Sequence, residues 1–113
     1  MAANSALPRL ADILEAIDRI RSVMADVTLE AFESDWQKRW IVERGVEIIS
    51  EASRRLPDQL KARHPEIPWT KVAGIGNVLR HEYERIAAGV LWSVAHGELL
   101  PLEKACQAEL DDE

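Results

Sequence analysis

Residues 72–86, VAGIGNVLRHEYERI, bring together side chains able to hold an anion and to move a proton. At about 100° per residue, Asn77, Arg80, His81 and Glu84 fall within about 60° of a common direction. Val72, Ile75, Leu79, Tyr83 and Ile86 take the opposite side. A guanidinium, an imidazole, an amide and a carboxylate thus share one helix face. Arg80 suits a phosphodiester, and an imidazole titrating near pH 6.5 suits proton transfer at neutral pH. By spacing alone, such a face is more often solvated surface than site.

Other constellations are weaker. HEYER departs from the zinc-binding H-E-x-x-H because Arg85 stands where the second histidine belongs, so no metal is expected. Gly74 and Gly76 lack the lysine and the preceding strand of a phosphate-binding loop. His64 beside Pro65 and His96 beside Gly97 read as loop or helix-end residues. The four tryptophans, Trp36, Trp40, Trp69 and Trp92, read as core or interface anchors.

These side chains need a scaffold, and the periodicity describes one that is all-α. Leu10, Ile13, Leu14, Ile17, Ile20 and Met24 form the apolar stripe of a first helix, with Pro8 suited to its first turn. A central helix is expected from near Asp35 to before Pro57, with Ile41, Gly45, Ile48, Ile49, Ala52 and Leu56 on one stripe. Arg44, Glu47, Glu51 and Arg54 lie between them. Three prolines between positions 57 and 68 allow only a short helix around 58–63. Helical spacing resumes at Trp69 and continues through Val90, Leu91, Val94 and Ala95, with Gly97 as the expected stop. A terminal helix from Pro101 to about Leu110 leaves an acidic tail, 111–113. No segment alternates apolar and polar residues over a strand's length, so the expectation is an antiparallel bundle of about four to six helices.

The chain has 113 residues, 47% of them hydrophobic, which fits one domain, 1–113, with a single core. One cysteine excludes an intrachain disulfide and points to a reducing, cytoplasmic setting. No stretch approaches the roughly 18 apolar residues of a membrane span, and no signal-peptide pattern opens the chain. The net charge of -6 argues against indiscriminate nucleic-acid binding. It is unevenly spread: -4 over residues 1–35, +3 over 36–85 and -5 over 86–113. The middle is the seat for any anion, while the acidic ends suit a basic partner protein.

Five segments then converge: R-L-x-D-I-L-x-A-I from Arg9, E-R-G-x-E-I-I-x-E-A from Glu43, P-E-I-P-W from Pro65, A-G-I-x-N-x-L-x-H-x-Y from Ala73, and the leucine-rich end near Leu99, Leu100 and Leu102. With Phe32, Asp35 and Trp92, they make the chain resemble the HepT-like branch of the HEPN ribonucleases over nearly its whole length. The resemblance implies a bundle that forms a homodimer with clefts at or near the interface. It also implies a metal-independent endoribonuclease, the toxin of a type VII-like toxin–antitoxin pair, whose nucleotidyltransferase antitoxin adds AMP to a motif tyrosine. Carried onto this chain, His81 is the motif histidine, Tyr83 the modified tyrosine, and Asn77 the polar residue after the motif arginine. No cofactor is implied.

One position departs from the pattern. Gly76 stands where the R-x-x-x-x-H-x-Y motif has its arginine, the group expected to hold the scissile phosphate. Arg80, and Arg44 on the central helix, are the candidates to replace it. The alternative is a catalytically weakened or inactive helical dimer that serves as a binding module for a nucleotidyltransferase.

Overall fold

The computed structural model describes the backbone of residues 2–80 and 84–112 and the side chains of residues 6–79 and 87–112. Among them are seven α-helical segments and a π-helical turn, and no strand. The long elements, α1 (Ala2–Met24), α3 (Trp36–Arg54), α5 (Trp69–Arg80), α6 (Glu84–Ser93) and α7 (Leu99–Asp111), form the expected bundle. The short α2 (Leu29–Ser34) and α4 (Asp58–Ala62) shape its connections.

Helix α1 buries Leu10, Ile13, Ile17, Ile20 and Met24, the stripe its periodicity describes. It starts at Ala2, so Pro8 lies inside the helix and not in its first turn. Pro8 is exposed, and its missing N–H forfeits only the bond to the carbonyl of residue 4, a small loss near a helix start rich in alanine. Asp26, at φ 60°, turns the chain sharply after α1, a conformation aspartate tolerates better than most residues. Thr28 then caps α2 by accepting from the Ala31 N–H at 3.1 Å. Phe32, wholly buried, anchors this short helix to the core, a burial worth roughly 2–3 kcal/mol.

Asp35 caps α3, accepting from the Lys38 N–H at 3.0 Å and pairing with Lys38 Nζ at 3.2 Å. These contacts, the backbone one first, hold its carboxyl below the usual range. The buried arc of α3 is Val42, Gly45, Val46, Ile49, Ser50, Ala52 and Ser53. Ile41 is 49% exposed and Ile48 only partly buried, so the expected stripe was rotated relative to the real one. The cause is tertiary: α3 packs against α1 on one side and α5 on the other. At the α1 contact, a Cβ on Gly45 would lie 2.8 Å from Ile20 Cγ1, so glycine permits the close approach.

Between α4 and α5 the proline-rich segment is tied down by Trp69. Its indole N–H is shared between the carbonyls of Lys61 and His64, each at 3.1 Å. Helix α5 runs antiparallel to α3: Ser50 and Arg54, late in α3, reach Ala73, early in α5. Arg39, Trp40 and Glu43, early in α3, share a depression with Leu79, late in α5.

Gly97 does not end a helix. It sits in a π-helical turn, Val94–Glu98, that leads directly into α7, and no glycine has the positive φ of a helix-ending cap. The wider turn rotates the chain so that Leu99, Leu102, Ala105 and Cys106 continue the buried side from Leu91 and Val94. Pro101 falls in the first turn of α7, where its missing N–H costs little. Asp111 ends α7 and Asp112 caps it, both exposed, so most of the expected acidic tail belongs to the helix end. The tryptophans divide: Trp69 and Trp92 are partly buried against the core, whereas Trp36 and Trp40 are 53% and 66% exposed.

Candidate functional site

The face expected to carry chemistry begins on α5. Asn77 is exposed there, beside the half-exposed Val78, while Leu79 turns into the core. Arg80 closes α5 with its backbone. The Arg80 side chain, and His81 and Tyr83 altogether, lie outside the described residues.

Gly76 is buried and lines a polar depression of about 270 Å³ between α3 and α5. Its other walls are Arg44, Glu47, Ser50, Glu51 and Arg54, all from α3. The place where the motif arginine would stand therefore faces two arginines from the neighbouring helix. Arg44 is the looser: its side chain is 72% exposed and its Nη1 is 3.8 Å from Glu47. Arg54 is held across the groove. Its Nε and Nη2 donate to the Ala73 carbonyl at 3.1 and 2.9 Å, and its Nη1 donates to Glu51 at 3.1 Å. Ser50 Oγ donates to the same carbonyl at 2.6 Å.

Three side-chain donors thus converge on one backbone oxygen of α5, one helical turn before Gly76. Arg54 and the carboxylates read in the sequence only as the polar side of the central helix, and Ser50 was not singled out. Their spacing of three and four residues shows a shared face, but only the packing of α5 gives that face a partner.

A second ionic cluster lies elsewhere. Glu109 of α7 accepts from Arg63 Nη2 and pairs with His64 Nε2, both at 2.6 Å. Arg63 first, then His64, holds its carboxyl below the usual range against the opposing cost of desolvation. His64 is thus half-buried against α7 and not a free loop residue. His96, in the π-helical turn, stacks on Trp92 at 4.2 Å and bonds its carbonyl. The buried Cys106 thiol is pushed up to about 12 by desolvation and by Glu109, which keeps it protonated and unreactive. Among the described residues no cluster of His, Cys, Asp and Glu has the arrangement of a metal site, and no helix is long and apolar enough to cross a membrane.

The all-helical bundle and the A-G-I-x-N-x-L-x-H-x-Y segment together define the HEPN type of protein. The family model described as "Ribonuclease HepT-like" matches residues 13–109, and this chain belongs to that family. Among its relatives is the probable ribonuclease HepT of Thermococcus cleftensis, 36% identical over 94 residues that cover 83% of this chain and 86% of the relative. A candidate RNase of Methanocaldococcus jannaschii is 30% identical, covering 84% of this chain and 87% of its own. Another, from Caldanaerobacter subterraneus, is 29% identical over 94% of this chain and 95% of its own. No solved structure matches the chain.

Proposed function

We propose that this protein is a metal-independent endoribonuclease that acts as the toxin of a cytoplasmic toxin–antitoxin pair. The observation that carries the reading is the family match over residues 13–109, which includes the segment with Asn77, His81 and Tyr83. In this reading His81 takes the proton of a ribose 2′-hydroxyl as that oxygen attacks the adjacent phosphorus. The bond to the 5′ oxygen breaks, the leaving oxygen gains a proton from solvent, His81 returns its own to solvent, and a 2′,3′-cyclic phosphate remains. Asn77 orients the phosphate or the imidazole. Arg80 and Arg44 are the sequence's candidates for the cation that Gly76 lacks.

A nucleotidyltransferase partner would silence the enzyme by transferring AMP from ATP to the Tyr83 hydroxyl, with release of pyrophosphate. The added bulk and charge would occupy the RNA site. Exposed Trp36 and Trp40, packed edge to face at 5.0 Å, and Ile41 beside them support a homodimer formed through the start of α3.

The test is expression without the antitoxin, together with incubation of the purified protein with RNA in the presence of a chelator. Wild type should arrest growth and cleave RNA, and His81→Ala should do neither. Equal harmlessness of the two, with RNA left intact, overturns the reading. Gly76 and the two carboxylates lining its depression favour a second one, a binding module without ribonuclease activity. Gly76→Arg separates them: cleavage gained by that variant from an inactive wild type identifies the module.

A further inference from the structure

We propose that Arg54 of α3 replaces the missing motif arginine, holding the scissile phosphate in the depression over Gly76, with Arg44 as a second, mobile cation. The inference rests on the ribonuclease reading and names the group that completes its site. A helix-borne arginine at position 76 would send its guanidinium out from α5 towards α3. With glycine there, that space is open, and the guanidinium that borders it comes from α3 instead.

Arg54 is positioned before any ligand arrives. Its Nε and Nη2 share the Ala73 carbonyl, so the plane of the group is fixed against α5. Nη1 faces Glu51, and this contact can be given up at small cost. Glu51 also accepts from Arg55 Nη2 at 3.1 Å, so an anion that takes Nη1 leaves the carboxylate paired. Arg44 is similarly available, because its pairing with Glu47 is long and solvent-exposed. A planar guanidinium anchored along one edge, whose Nη1 can exchange Glu51 for a ligand oxygen, suits the tetrahedral oxygens of a phosphodiester. Glu47 and Glu51 meanwhile disfavour loose anions, so occupancy requires a substrate held by other contacts as well. This agrees with the acidic balance of the chain.

The experiment compares RNA cleavage by wild type, Arg54→Gln, Arg54→Lys, Arg44→Gln and the double variant Arg54→Gln with Gly76→Arg, with melting curves for each. Arg54→Gln should cut cleavage by about 100-fold. Arg54→Lys, which keeps the charge but not the fork, should fall between. Gly76→Arg should recover activity in the Arg54→Gln background, which a purely structural role for Arg54 does not predict. Unchanged cleavage in Arg54→Gln, or no recovery by Gly76→Arg, overturns the proposal while leaving the ribonuclease reading in place.

If Arg54→Gln fails to fold, Arg54→Lys and the exposed Arg44→Gln carry the test, and wild-type rates in both overturn it. Should wild type itself not cleave, binding of a short 2′-deoxy oligonucleotide decides independently. The salt dependence of its affinity should fall by about 0.7 in logarithmic slope when one phosphate contact is lost. An unchanged slope in Arg54→Gln overturns the assignment.

Discussion

The paired contacts on Glu109 show how single residues join distant parts of the chain. Arg63 and His64 follow α4, and Glu109 lies near the end of α7, so the contact closes the proline-rich segment onto the C-terminal helix. A carboxyl held below its ordinary value stabilises the fold fully while the pH is above that ordinary value. The contribution is lost as pH falls through the lowered value. Glu109→Gln should therefore flatten the acid limb of stability against pH below about 4.5, as read by melting temperature across a pH series. Identical acid limbs would remove Glu109 as a source of acid sensitivity. His64 illustrates what residue type alone conveys: its place in a loop was legible, but its partner, 45 positions away, was not.

At the scale of elements, the close packing of α1 on α3 depends on Gly45. An alanine there gains helix propensity worth up to about 1 kcal/mol but forces Ile20 to move in a filled core, at a cost of roughly 1–3 kcal/mol. Gly45→Ala should accordingly lose about 1 kcal/mol, measured by denaturant unfolding, and a gain in stability would show that Ile20 yields freely. The long helices and most of their boundaries were legible because apolar spacing reports local period directly, whereas the 6-residue α2 is too short to show a period and was not expected. The central helix begins after Asp35, as expected, since an N-cap aspartate is a local signal. The rotation of its buried arc was not legible. Ile41 is as apolar as Ile49, and only the positions of α1 and α5 decide that one is exposed and the other buried. Gly97 misled for a related reason, because the core's demand for Leu99 and Leu102 outweighs a weak preference for ending the helix.

The whole molecule is elongated, 45 × 26 × 21 Å, and several of its exposed large apolar side chains fall together at the start of α3. Trp36, Trp40 and Ile41 start α3, and Trp40 and Ile41 also line a groove of about 560 Å³ between α1 and α3. If this face joins two copies, wild type should sediment as a dimer and Trp40→Glu should weaken association at least about 10-fold. A monomeric wild type at micromolar concentration would remove dimerisation from the functional reading.

The sequence by itself determined the helical class and the family, because these rest on local periodicity and on residues at fixed spacing; it proposes His81 and Tyr83 as motif residues. It also exposed the vacancy at Gly76. What it left undecided was where a substitute cation would stand. Arg80 and Arg44 are the candidates along the chain, and Arg54 is there only one more basic residue on the polar side of the central helix. Among the described residues, the antiparallel packing of α3 on α5 carries Arg54 onto the Ala73 carbonyl and brings Arg44 to the same depression. The physical reason is that a helix specifies the direction of its side chains but not the neighbour they meet. That neighbour is chosen by burial of the opposite faces, here Val42, Val46 and Ile49 of α3 in the common core.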